Sequence, residues 1–112
     1  MRYTKYPILL LFAFILACED RDDGPLFEFA WDQTQCADPW GTGAGSTEAE
    51  TEAAVVAYLE GEGISVEQVA FLADAETDAA CEACDCGTGI RIIVTVPSPS
   101  VTPMRVLGFY LK

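Results

Sequence analysis

Histidine and asparagine are both absent from this sequence, and basic residues are scarce. Without histidine, the chain cannot form a Ser-His-Asp or Cys-His catalytic arrangement, nor a metal site with histidine ligands. Without asparagine it has no N-glycosylation acceptor, and glycine must supply the left-handed turn positions. Lysine and arginine number 6 against 18 acidic residues, which gives a net charge of −12. This charge argues against nucleic acid as a partner, because nucleic-acid binding depends on basic surfaces.

The first 17 residues have the pattern of a signal peptide. Arg2 and Lys5 precede an apolar run at 8–17, which is about half of the roughly 20 residues that a membrane-spanning helix needs. The small residue Ala17 stands at the expected cleavage point. We therefore expect residues 1–17 to be removed rather than to span the membrane.

The tetrapeptide ILAC at 15–18 resembles the lipobox of bacterial lipoproteins. The resemblance implies that the thiol of Cys18 carries a lipid and that Cys18 becomes the first residue of the mature chain. Two or three acyl chains anchor a protein stably, whereas a single chain binds only marginally. The alternative is an ordinary cleaved signal peptide in which Cys18 carries no lipid.

An acidic segment, EDRDD at 19–23, follows Cys18 and is similar to the surface-export signal of Bacteroidetes-type lipoproteins. The resemblance implies a protein of the bacterial cell envelope, at the outer membrane on its periplasmic or surface face. Two alternatives stay open, because acidic residues here can also mark retention at the inner membrane or form a solvated spacer. We divide the chain into a signal peptide at 1–17, an acidic tether at 18–25 and one small domain at 26–112.

The first half of this domain predicts a strand and a helix. Residues 26–32 alternate, with Phe27, Phe29 and Trp31 on one face, which is typical of a half-buried strand. Thr47 and Glu50 fit a capping box for a helix at 48–60, with Gly61 as the glycine that follows its C-cap. We expect its apolar stripe to consist of Ala49, Ala53, Val55, Val56 and Leu59.

The second half predicts two further strands and a short helix. The run at 64–73 changes parity, which a bulge near residues 67–68 would reconcile, and 90–96 alternates strongly. Ser100 is a candidate cap for a helix at 101–107, and 109–111 forms a final short strand or docking tail. The order β-α-β-β-α predicts a small two-layer α+β domain with a reduced split-βαβ (ferredoxin-like) sheet. The alternative is an irregular α+β fold held by disulfides.

Four cysteines lie in the predicted domain. Cys36 follows the first predicted strand, whereas Cys81, Cys84 and Cys86 follow the second as C-x-x-C-x-C. If a right-handed crossover makes those strands parallel, all four thiols lie at one edge of the sheet. An exported protein meets oxidising conditions, which favours two disulfides with three possible connectivities.

Two other interpretations of the cysteines stay open. A Cys₄ zinc or iron–sulfur site needs four reduced thiolates, and the neighbouring Glu82 and Asp85 disfavour it by their charge. A redox-active pair of Cys81 and Cys84 needs a cationic setting, which this acidic segment lacks. We therefore expect no cofactor, with zinc as the exception if the four cysteines are reduced.

Trp40 lies in a loop, DPWG, and has two interpretations. In the first interpretation Trp40 covers the cysteine cluster. In the second it is an exposed contact residue of the kind enriched at binding hot spots.

The mature pattern as a whole resembles small Bacteroidetes-type lipoproteins, which implies a location and no activity. We expect a non-enzymatic structural or binding module held at the membrane by its lipid, with an envelope protein as a further candidate partner.

Overall fold

Two long antiparallel strands form the centre of the structure, a computed structural model that describes residues 24–77 and 80–112. β1 spans Leu26–Thr34 and β3 spans Gly87–Pro97, both longer than the sequence predicts. Their register pairs Phe29 with Val94. The predicted signal peptide at 1–17, the proposed lipid acceptor Cys18 and the acidic segment at 19–23 lie outside the described residues.

The sheet has four strands in the order β2-β3-β1-β4, where β2 is Gln68–Leu72 and β4 is Tyr110–Leu111. Every pairing is antiparallel, so β1 and β2 run parallel with β3 between them. This is the split-βαβ arrangement. The predicted α+β class is confirmed, and the final short strand pairs with the edge of β1.

The helix α1, Glu48–Gly61, begins as the sequence predicts. The Thr47 hydroxyl accepts a hydrogen bond from the Glu50 amide at 3.1 Å, and the Glu50 carboxylate accepts one from the Thr47 amide at 2.9 Å. This reciprocal pair is a capping box, which satisfies two of the amides that a helix start leaves unpaired.

The end of α1 differs from the prediction. Gly61 is the last helical residue, and Gly63 takes the left-handed conformation with φ +84°. The amide of Ile64 donates to the carbonyl of Leu59, and that of Gly63 donates to Glu60, which is a Schellman motif. Ile64 therefore packs beside Leu59 in the core as part of this cap. Residues 64–67 precede β2, so the predicted strand at 64–73 is too long and its bulge is unnecessary.

The buried face of α1 also corrects the predicted stripe. Its buried residues are Thr51, Val55 and Leu59, which follow the four-residue spacing of one helix face. Ala49 and Ala53 are exposed, and Val56 is only half-buried. The predicted stripe was wrong at Ala49 and Ala53, because small apolar residues are tolerated on a solvated face, and Val56 lies at the edge of the buried face.

The segment after β3 is a 3₁₀ turn, Ser98–Ser100, followed by the short helix α2, Val101–Val106. The Ser100 side chain makes no capping hydrogen bond, so that predicted role is wrong. Ser100 has helical backbone angles, whereas a capping residue is normally extended. Met104 of α2 is fully buried.

One hydrophobic core joins both helices to one face of the sheet. Its buried members are Phe29, Val55, Leu59, Ile64, Ile92, Val94, Val96, Met104 and Phe109. In the part of the chain that the structure describes, no helix has the length and apolar character to cross a membrane.

The adjacent valines of α1 test which face of the helix is buried. Val55→Asp is expected to lower the free energy of unfolding by roughly 3–5 kcal/mol, because it places an unpaired charge in the core. Val56→Asp makes the same chemical change on the more open face and is expected to cost about 1 kcal/mol. Urea unfolding of both variants measures the difference, and equal losses would contradict this assignment.

Candidate functional site

The loop after β1 and the segment before β3 meet at one end of the sheet. The Gln35 amide donates to the Cys86 carbonyl at 2.8 Å, and the Cys36 amide donates to the Cys84 carbonyl at 3.0 Å. Cys36 and Cys84 form a disulfide across 48 residues, with their Cα atoms 4.6 Å apart. We call this region the disulfide end of the domain.

The remaining two cysteines, Cys81 and Cys86, form a second, local disulfide. The four cysteines lie together at one end of the sheet, and they form two disulfides, as the sequence predicts. The redox interpretation requires a bond between Cys81 and Cys84. In this structure Cys81 pairs with Cys86 instead, and Cys84 pairs with Cys36. Within residues 24–77 and 80–112, no group of three or more His, Cys, Asp or Glu side chains is arranged to hold a metal ion.

Asp38 holds the loop between β1 and α1 in place. It is 5% exposed, and its Oδ1 accepts hydrogen bonds from Trp31 Nε1 at 2.9 Å and from Thr34 Oγ1 at 2.8 Å. The Thr34 amide also donates to both of its carboxylate oxygens at 3.2 Å. A buried carboxylate is tolerated when donors surround it in this way. Asp38 therefore fixes the loop to the end of β1.

Trp40 lies in the same loop and packs onto the core rather than standing free. Its ring centroid lies 5.0 Å from that of Trp31, 5.7 Å from Tyr58 and 6.0 Å from Phe109. These edge-on and tilted contacts are favourable aromatic geometries. Trp40 thus connects the loop to β1, to α1 and to the residue before β4.

A cleft of about 310 Å³ opens beside the disulfide end. Its residues come from the end of β1, the loop before α1, the first turn of α1, β2 and the start of β3. They are Gln33, Gln35, Gly43, Ala44, Ser46, Thr47, Glu48, Thr51, Phe71, Thr88 and Ile90.

Two polar side chains, those of Gln33 and Thr51, form part of the cleft wall, and a glycine allows the loop to pack beside them. Gln33 is 7% exposed, and its Oε1 accepts a hydrogen bond from Thr88 Oγ1 at 2.7 Å, which orients the amide. Thr51 is 1% exposed, and its hydroxyl has no hydrogen-bond partner among the described residues. Gly43 lets the loop pass close to β1, because a Cβ there would lie 2.0 Å from the Gln35 carbonyl oxygen.

The open face of the sheet carries a separate charged network. Arg91 contacts Asp32 and Asp74, each at 3.3 Å, and Tyr110 donates to Asp32. The hydrogen bond to Asp32 raises the pKa of the Arg91 guanidinium. Burial, and after it the hydrogen bond to Asp32, raises the pKa of Tyr110. These pairs neutralise part of the acidic surface outside the cleft.

Comparison with protein-family models, curated proteins and solved structures finds no match for this chain.

The sequence identified the cysteines and Trp40 but missed Asp38, Gln33 and Thr51. A polar residue at an inward position was the available signal for two of them. Gln33 continues the parity of Phe29 and Trp31, and Thr51 lies four residues before Val55. Asp38 precedes a proline in a loop, which is typical of an exposed turn residue.

The two disulfides are expected to differ in their contribution to stability. The Cys36→Ser/Cys84→Ser variant opens the long loop and should lose about 4 kcal/mol by loop-closure entropy, whereas Cys81→Ser/Cys86→Ser should lose about 2 kcal/mol. Paired replacement leaves no single thiol to exchange within the domain. Denaturant unfolding gives both values, and the reverse order would contradict the expectation.

The intact mass tests the same pairing. Two disulfides make the denatured, non-reduced protein about 4 Da lighter than the reduced protein, and chelators should not change its stability. Bound zinc in the native mass, with four free thiols after denaturation, would contradict the pairing.

Asp38→Ala is expected to destabilise the protein by about 2–4 kcal/mol, because it leaves buried donors of Trp31 and Thr34 unpaired. Asp38→Asn keeps one acceptor oxygen and should lose less. Thermal unfolding measures stability, and the Trp31 indole proton in an NMR spectrum reports the hydrogen bond directly. If this proton keeps its chemical shift in Asp38→Ala, the assigned hydrogen bond is wrong.

Proposed function

We propose that this protein is a lipid-anchored module of the bacterial cell envelope that acts by binding rather than by catalysis. The observation that carries the proposal is the pairing of four cysteines in two disulfides, since disulfides persist in oxidising compartments outside the cytoplasm. The signal-peptide pattern at 1–17 and the lipobox resemblance at 15–18 agree with this location.

The position of the disulfide end supports a protein that holds its cleft at a distance from the membrane. The chain enters the domain at Leu26, and the disulfide end follows Thr34 at the opposite end of β1. A strand of this length spans roughly 30 Å, whereas the seven residues between Cys18 and Leu26 reach at most about 25 Å. A lipid on Cys18 would therefore hold Leu26 within about 25 Å of the membrane, whereas the cleft, at the other end of β1, could lie farther from it.

The chemistry of the cleft supports binding over catalysis. Among the described residues that line the cleft, Glu48 is the one with a charged side chain. General acid–base or nucleophilic catalysis normally needs a reactive group with a second group that activates it. The other polar groups are amides and hydroxyls, which suit recognition of a ligand. The partners that we propose are the membrane, through the lipid, and a ligand or envelope protein at the disulfide end.

The lipid anchor is tested at Cys18. Cys18→Ala is expected to abolish labelling by a fatty-acid probe in a bacterial host and to release the protein from the membrane fraction, because it removes the sole proposed acyl acceptor. The Cys36→Ser/Cys84→Ser variant is the matched control and should remain labelled. Unchanged labelling of Cys18→Ala would exclude the lipobox interpretation.

A further inference from the structure

We propose that the cleft beside the disulfide end binds one ring of a neutral sugar, either free or at the end of a glycan chain. The inference rests on the binding role proposed above and gives it a ligand class. It does not require the lipid on Cys18, so the two proposals can fail separately.

The polar groups of the cleft are of the kind that recognise hydroxyls. The Gln33 amide is nine-tenths buried and is held by Thr88. Gln35 and Ser46 add a second amide and a hydroxyl along the rim. Amides and hydroxyls both donate and accept hydrogen bonds, as sugar hydroxyls do. A wall of such groups therefore matches a ligand with alternating donors and acceptors.

Thr51 is the observation that points to a missing partner. Its hydroxyl is buried at the base of the first turn of α1 and has no hydrogen-bond partner within the described residues. Leaving a buried hydroxyl unpaired is unfavourable, and Thr51 lines the cleft. The hydroxyl is covered in this structure, so a ligand hydroxyl must displace the atoms that cover it slightly in order to supply the missing hydrogen bond.

The remaining walls fit the apolar face of a sugar ring. Phe71 of β2 and Ile90 of β3 line the cleft opposite the first turn of α1 and are half-buried. Small-molecule sites combine such apolar walls with a few placed polar groups. The volume of about 310 Å³ is at the lower limit of the range for ligand pockets, roughly 300–1,000 Å³, and so suits one small ring.

Charge restricts the ligand further. Glu48 is an exposed residue that lines the cleft, and Glu50 and Glu52 follow it on α1. An anionic ligand would be repelled by these groups and by the net charge of the chain. A neutral sugar escapes this repulsion, and Glu48 can accept hydrogen bonds from its hydroxyls.

The test is an NMR titration of the mature protein, as purified from its bacterial host, in a zwitterionic detergent that carries no sugar headgroup. The probes are D-galactose, D-mannose and N-acetyl-D-glucosamine, with N-acetylneuraminic acid as the anionic comparison. We expect at least one neutral sugar to give saturable shifts at the amides of residues 47–51 and 88–90, with a much weaker response to the anionic sugar.

The two sources of the ligand are separated by chain length. The sugar that gives the largest response is compared with its tetrasaccharide. Tighter binding of the tetrasaccharide assigns the site to the end of a glycan, and equal or weaker binding assigns it to a free sugar.

Thr51→Val is the decisive variant because it removes the hydroxyl and keeps the side-chain shape. It should fold with an unchanged or higher Tm, since an unpaired buried hydroxyl is lost, and should weaken sugar binding by about fivefold to tenfold. Thr102 is an exposed residue of α2 that does not line the cleft. Thr102→Val is therefore the matched control and should bind the sugar normally. Gln35→Ala is a second cleft variant with the same expected direction.

Three results would overturn the proposal. They are the lack of saturable shifts with every neutral sugar, binding of N-acetylneuraminic acid as tight as that of the neutral sugars, and unchanged sugar affinity in Thr51→Val. Because labelling of Cys18 is measured independently, these results would leave the lipid anchor unaffected.

Discussion

The pairing of β1 with β3 is the constraint on which the other features depend. Its register runs from Leu26 opposite Pro97 to Asp32 opposite Arg91 and then shifts, so that Thr34 lies opposite Gly87. The chain therefore leaves β1 where it enters β3. The hydrogen bonds of residues 35 and 36 to the segment at 84–86 continue this pairing beyond the sheet. The pairing of the strands thus brings Cys36 and Cys84 together, and the disulfide between them stabilises this arrangement.

Three different interactions hold the loop between β1 and α1. The disulfide fixes its start, the hydrogen bonds of Asp38 attach it to Trp31 and Thr34, and Trp40 packs against the core. Trp40 also packs against Tyr58 and so contacts α1. A loop fixed at several points can line a preformed cleft, and a preformed site loses less entropy when a ligand binds.

The sequence predicted the features that depend on neighbouring residues and missed those that depend on the fold. The alternation in β1 and the capping box of α1 are local, and both are present. The buried face of α1 was misjudged because Val55 and Val56 are equivalent in the sequence, and only packing distinguishes them. The cleft could not be predicted, since its residues lie on five separate segments between Gln33 and Ile90.

Unpaired polar groups are concentrated in one part of the described chain. The buried side-chain atoms without a hydrogen-bond partner there are Trp40 Nε1, Thr42 Oγ1 and Thr51 Oγ1, all between residues 40 and 51. Most buried polar groups in folded proteins are paired, and valine would fill the place of Thr51 with nearly the same shape. Departures from local rules are expected at functional sites, where stability is exchanged for recognition. These three unpaired groups lie in the loop and helix turn beside the disulfide end, which is the same part of the described chain in which we propose that a ligand binds.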